Sequence, residues 1–268
     1  MPSIKVLTDT TINKIAAGEV VERPISVVRE LVDNAIDAGA SKISVSVLAG
    51  GKDLIQVVDD GVGMQREDAL LAFERHATSK ISAAEDLDNI ETKGFRGEAL
   101  AAIAAVSKVY LKTRSTEDAV ATVVQLAAGE LRNVKSESGN TGTAVEVRNL
   151  FFNVPARKKF LKSPQTEVAK IKTWLESIAM AHPAIEFKLL VDEKEKLNLT
   201  AVSSAVERAE VYFPEGIVTK KYSKGDMELS ACVNHPSRSA PSAGGFILIV
   251  NNRAVSYTHL TLPTNREV

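Results

Sequence analysis

Between residues 24 and 40 the apolar positions fall at helical spacing. Val27, Val28, Leu31, Ala35 and Ile36 make one stripe, Pro24 suits a first turn, and Gly39 follows the last periodic residue as a stop. The rhythm then switches to period two. KISVSVLAG alternates and LIQVVDD rises again after Gly50 and Gly51, which predicts two strands joined at a glycine turn. REDALLAFERHAT carries Ala69, Leu70, Phe73 and Ala77 on one helical side, and GEALAAIAAVS reads as a small-residue helix entered from glycine. KVYLKTRS, ATVVQLAAG, ELRNVKS and TAVEVRNLF predict a run of antiparallel strands. TEVAKIKTWLESIAMAHP is a long amphipathic helix closed by Pro183, and IEFKLLVD is one more strand. Helices grouped around a mostly antiparallel sheet place the chain in the α+β class, as an α/β sandwich. A second, smaller unit begins near residue 201, with strands in MELSACVNHP and GGFILIVNNRAV. The final stretch, SYTHLTLPTNREV, shows neither period and reads as a foreign or frayed tail.

Composition narrows the function classes. The 268 residues are 44% hydrophobic and 25% charged with a net charge of -1, so any nucleic-acid partner must use a local patch. One such patch is PARKKFLK and the residues after it. From 157 to 172, Arg157, Lys158, Lys159, Lys162, Lys170 and Lys172 oppose Glu167 alone, a local +5 on what reads as a basic helix face. Cys232 is the only cysteine, which excludes an intrachain disulfide and points to a reducing compartment. Neither CxxC nor HExxH spacing occurs, so a zinc site has no support. The opening residues lack a signal-peptide core, and no apolar run approaches about 18 residues, so a cytoplasmic protein is expected.

Candidate chemistry sits on the first helix. Glu30 and Asn34 are four apart and Asp37 is seven from Glu30, so the three share one side, while Asp33 points off it toward solvent or a neighbour's end. A solvated surface helix presents the same face, so three further stretches decide the reading. VVDDGVGM ends an apolar strand in Asp59 and Asp60, then turns through Gly61 and Gly63, where backbone can approach a ligand closely. An acid at such a strand end can accept the exocyclic amine of a base. TKGFRGEALAAI brackets Phe95 and Arg96 with Gly94 and Gly97 before a helix start, which offers unpaired N–H groups to phosphate. GNTGTAVEV opens a strand with Gly142 and Thr143, a hydroxyl beside bare backbone. No GxxxxGK[ST], complete dinucleotide fingerprint or GxSxG elbow is present.

In this order the motifs resemble the GHKL ATPase superfamily of gyrase, Hsp90 and histidine kinases. The chain is identified most closely with the MutL mismatch-repair family, through INKIAAGEVVERPISVVRELVDNAIDAGA, DDGVGM, RHATSKI, GFRGEALAAIAAVS and GTAVEVRNLFFNVPARKKFL. The resemblance runs to about Val255. It implies a nucleotide-binding sandwich over 1–200, part of a second α/β domain of the ribosomal-protein type over 201–255, and a tail over 256–268. It implies ATP and Mg²⁺ as cofactors, Glu30 as the general base toward the attacking water, and Asn34 as the metal ligand. Asp59 would read the adenine amine, with Gly61, Gly63 and Thr143 completing that pocket. Thr78, Ser79 and Lys80 belong to the implied ATP lid. Gly94, Phe95, Arg96, Gly97, Glu98, Ala99 and Leu100 belong to the implied phosphate loop and helix start. His76 reads as an ordinary loop residue, and Asp60, where relatives carry Asn, reads as tolerated. The implied partners are DNA, bound weakly through its backbone, a mismatch-recognition protein with downstream repair factors, and a second copy in an ATP-dependent dimer. The family's second domain supplies a lysine toward the γ-phosphate that has no counterpart here, so weak hydrolysis by a truncated chain is expected. Alternatives are another GHKL ATPase, or an ATP-gated binding module without useful turnover.

Overall fold

The computed structural model describes residues 18, 20–74, 77, 98–212, 217–224, 227–234, 248–250 and 253–255. Helix α1 (Pro24–Asp37) starts and stops where the rhythm predicts. Pro24 occupies the first turn, where a missing N–H has no helical partner to lose. Gly39, at φ 71°, closes the far end, its N–H donating to the Ile36 carbonyl at 2.9 Å. Val27, Val28 and Val32 are fully buried, with Leu31 and Ala35 nearly so. Residues 28, 31, 32 and 35 complete one i, i+3, i+4, i+7 face, which brings Val32 into the stripe and leaves Ile36 half-buried at its rim.

Eight strands form one sheet: β1 (Lys42–Leu48), β2 (Leu54–Asp59), β3 (Lys108–Arg114), β4 (Ala121–Ala127), β5 (Glu130–Glu137), β6 (Gly142–Arg148), β7 (Glu186–Val191) and β8 (Lys194–Leu199). Their order is β5-β4-β3-β6-β2-β1-β7-β8. Only the β1–β7 pair is parallel, because a helical crossover leads into β7, whereas the other neighbours run antiparallel. Alternation sorts the faces. Val45, Val47, Ile55, Val57, Val109, Leu111, Val145 and Val147 are buried on one side. There α1 packs on β1 and β2, and α3 (Ala99–Ala105) packs on β3 and β4. The other side is polar, with Gln56 donating to Glu146 at 3.0 Å and Lys112 paired to Glu137 at 3.3 Å. The result is the two-layer, mostly antiparallel sandwich expected, with helices on one face.

Several elements differ from the periodic reading. Helix α2 (Arg66–Leu71) is shorter than the periodic run, giving way to a turn at 72–73, and Ala69 is its one buried residue. Edge strand β8 has the sequence KEKLNL, whose charged positions protect an open edge and hide the strand from a hydrophobic scan. The basic run from 157 to 172 is two helices, α4 (Pro155–Phe160) and α5 (Pro164–Ala181), separated at 161–163.

The chain divides into two compact units, Met1–Lys172 with Ile185–Thr200, and Thr173–Ala184 with Ala201–Val268, the division falling within α5. The second contains α6 (Ala205–Tyr212), an antiparallel pair β9 (Ile217–Lys224) and β10 (Met227–Asn234), and the short pair β11 (Leu248–Val250) and β12 (Arg253–Val255). In it the Arg208 guanidinium and the Val202 N–H both donate to the Pro183 carbonyl, each at 2.9 Å. Helix α6 and strand β9 have no counterpart among the elements predicted from sequence. Residues 256–268 lie outside the described residues.

Candidate nucleotide site

Three strands reach one polar row together. Thr143 on β6 sits opposite Asp59 on β2 and opposite Thr113 on β3. Along each strand the neighbouring positions on that face are apolar: Ile55 and Val57, Val109 and Leu111, Val145 and Val147. The hydrophobic core therefore ends in a carboxylate and two hydroxyls. Asp59 Oδ1 accepts the Gly61 N–H at 2.9 Å and the Thr143 N–H at 3.3 Å. Both of these bonds fall on Oδ1. Burial raises the Asp59 pKa above the ordinary 3.8, the two N–H donors oppose that shift, and the neighbouring Asp60 charge adds to it.

The turn after Asp59 needs its glycines. Gly63 sits at φ 68°, and a Cβ there would overlap the Arg114 carbonyl oxygen. Gly142, at φ 118°, crosses the Asp59 carbonyl just as closely. The Val62 N–H donates to the Ala38 carbonyl at 3.1 Å, which ties the turn to the end of α1. That helix carries Glu30 and Asn34, both half-buried, one turn apart on the side flanking the buried stripe. Asp33 and Asp37 are half-buried as well, so Asp33 is less solvent-facing than its position predicts. Glu98 stands at the N-cap of α3, with Ala99 and Leu100 in its first turn. His76, Thr78, Ser79, Lys80, Gly94, Phe95, Arg96 and Gly97 lie outside the described residues.

Residues 22–150 match the family described as histidine kinase-, DNA gyrase B-, and HSP90-like ATPase. The chain is 47% identical to the DNA mismatch repair protein MutL of Solibacter usitatus over 88% of its own length and 36% of that protein's. It is 44% identical to that of Dictyoglomus thermophilum over 95% of its length and 45% of the relative's. The chain thus spans less than half the length of these curated relatives. The solved ATPase domain of Aquifex aeolicus MutL, complexed with ADP, superposes with a TM-score of 0.70 at 31% identity, covering 89% of this chain and 85% of that one. The chain belongs to the MutL family. A second solved structure, the N-terminal domain of a DNA repair protein, matches with a TM-score of 0.76 at 25% identity, covering 92% and 78%. The fold is that of the GHKL ATPases.

Within this MutL-type fold, sequence reasoning missed Thr113. Its hydroxyl accepts the Met64 N–H at 2.9 Å and contacts Thr143 Oγ1 at 2.9 Å and the Gly142 carbonyl at 3.2 Å. The signal was present: KVYLKT alternates, and a threonine in the apolar phase ends the strand. Asp60 is more than tolerated. It accepts the Ser41 and Lys42 N–H groups at 2.8 Å each and the Ser41 hydroxyl at 2.6 Å, bracing the start of β1 against the end of β2. The basic run is also less free than its charge count implies. Arg157 donates to the Val21 carbonyl at 3.2 Å, and Glu167 is fully buried, 3.2 Å from Arg23 and accepting the Lys162 N–H at 2.9 Å.

Proposed function

We propose that this chain binds ATP with Mg²⁺ and hydrolyses it slowly, as the N-terminal ATPase part of a MutL-type DNA mismatch repair protein. The carrying observation is Asp59, a half-buried carboxylate at a strand end whose Oδ1 is pinned by two backbone N–H groups, which leaves Oδ2 for a further donor. That oxygen suits the exocyclic amine of adenine. Gly61 and Gly63 shape the tight turn beside the base, and Thr143 borders the same pocket. Glu30, one turn before Asn34 and on its side of α1, acts as general base toward the attacking water, a contribution of about 10²–10⁴-fold. The Asn34 side-chain oxygen fits Mg²⁺, a hard cation that takes one or two protein oxygens and completes its shell with phosphates and water. Bound there, Mg²⁺ would neutralise charge developing on the phosphates. The start of α3 at Glu98, Ala99 and Leu100 lies on the phosphate side, with Gly94 to Gly97 before it and Thr78, Ser79 and Lys80 in the lid.

Nucleotide binding in this reading drives two copies to dimerise and close as a clamp on DNA, signalling from a mismatch-recognition protein to downstream repair factors in the cytoplasm. Residues 1–200 act as the nucleotide domain and 201–255 as part of a second domain. Lys158, Lys159, Lys162 and Lys170 are exposed and add non-specific contacts to the DNA backbone. The test is ATP binding and turnover with Mg²⁺ for the parent beside Asp59→Asn and Glu30→Ala. Asp59→Asn should lose binding, while Glu30→Ala should bind normally and lose turnover. A Glu30→Ala protein that turns over like the parent would refute the assigned base, and a parent that binds but never hydrolyses would favour an ATP-gated binding module.

A further inference from the structure

Thr113 is fully buried, yet no step described so far uses it. Its hydroxyl has one proton and two lone pairs to divide among its neighbours. The Met64 N–H takes one lone pair at 2.9 Å. The Gly142 carbonyl, at 3.2 Å, can only accept, so it takes the proton. What remains for Thr143 Oγ1, at 2.9 Å, is a lone pair, so Thr143 must donate. This is the one assignment that satisfies all three contacts. In the reverse assignment Thr113 gives its proton to Thr143, and the Gly142 carbonyl loses that bond.

We infer that Thr113 is a positioning residue that sets base specificity, by consuming the Thr143 proton and leaving Thr143 an acceptor beside the Asp59 carboxylate. The inference rests on the nucleotide reading above and deepens it. Thr143 and Asp59 are direct partners across β6 and β2, so this pair of side chains then presents acceptors only. An exocyclic amine, as on adenine, meets such an edge with donors, directly or through one water. Guanine held in adenine's pose puts its O6 carbonyl against those acceptors, and must move to bring its N1–H and amine donors there instead. A buried polar group left unmatched in this way is rejected far more strongly than a matched one is gained. Thr113 also holds the Met64 N–H after the glycine turn, so one hydroxyl joins the two backbone walls of the pocket.

The experiment measures ATP and GTP affinity, without turnover, for the parent, Thr113→Val, Thr113→Ser, Thr143→Val and the double valine variant, with melting followed in parallel. Thr113→Val keeps the shape and removes the hydroxyl, which frees Thr143 to rotate and donate. The expected result is a fall of about tenfold or more in the ATP-over-GTP preference, the scale of one buried hydrogen bond. Thr113→Ser, which keeps the hydroxyl, should stay within about threefold of the parent, and the double variant should match Thr143→Val because the two hydroxyls act as one unit. A Thr113→Val protein that weakens both nucleotides alike, or leaves the preference intact, overturns the inference. If Thr113→Val does not fold, an unchanged preference in Thr143→Val overturns it by itself. A parent that binds neither nucleotide sinks the nucleotide reading and this inference with it, whereas normal parent binding with unchanged selectivity in the variants sinks only the inference.

Discussion

Asp59 is pulled in two directions, and pH separates them. Burial raises its folded pKa above 3.8, with backbone donors opposing, so the proton is held more tightly in the folded chain. Its contribution to stability without ligand is therefore full below the unfolded value and is lost as pH rises through the raised folded value. Binding of an amine donor runs the other way, because it needs the carboxylate ionised. ATP affinity should thus fall on acidification at a higher pH than an ordinary aspartate titrates, and calorimetric binding across that range checks it. Asp59→Asn should remove that pH dependence together with at least about tenfold in affinity, since a buried amide N–H would face the incoming donor. Gly63→Ala tests the backbone at the same scale. With φ at 68° and the Arg114 carbonyl in the way, the substitution should cost about 3 kcal/mol or more, read from denaturant midpoints.

At the level of elements, α1 is held at both ends and along its buried stripe. Leu31 is 4% exposed in the middle of that stripe, so Leu31→Ala should cost about 2–5 kcal/mol. Arg23, at the N-cap, pairs with the fully buried Glu167 at the start of α5. Breaking that pair leaves an uncompensated buried charge, and Arg23→Ala should destabilise by about 3–5 kcal/mol, with Glu167→Gln much milder if the Lys162 N–H bond survives. Asp60 ties β1 to β2 by three hydrogen bonds. Burial works to raise its pKa, but the bonds from the Ser41 hydroxyl and the Lys42 and Ser41 N–H groups hold it below 3.8. The stability it supplies is present above that value and is lost as pH falls through the lowered one, so Asp60→Ala should flatten the acid limb of the melting curve.

For the whole molecule the proposed partner is DNA. Net charge is -1, so attraction to phosphate must come from local cations rather than the overall field. With Arg157 engaged to Val21, the exposed Lys158 and Lys159 carry the case on α4. Substituting both by alanine should weaken binding equally for all sequences and reduce the log–log salt slope by about 1–2, since each phosphate neutralised contributes about 0.9.

Residue order alone determined α1 and its ends, the strand-turn-strand of β1 and β2, the antiparallel run β3 to β6, and the positions of Glu30, Asn34, Asp59 and Thr143. Each of these is a local signal: a period, a proline, a glycine that must turn. What local signals could not carry was left to the tertiary structure. Strand β8 is charged because it lies at an edge, so no apolar rhythm marks it. Thr113, 30 residues from Thr143 and 49 from Met64, becomes a neighbour of both only through the pairing of β3 with β6 and the turn after β2. Glu167 reads as one acid among lysines until the fold buries it against Arg23. A hydrogen-bond partner far along the chain has no period, so only packing could reveal which hydroxyl sets the polarity of the pocket.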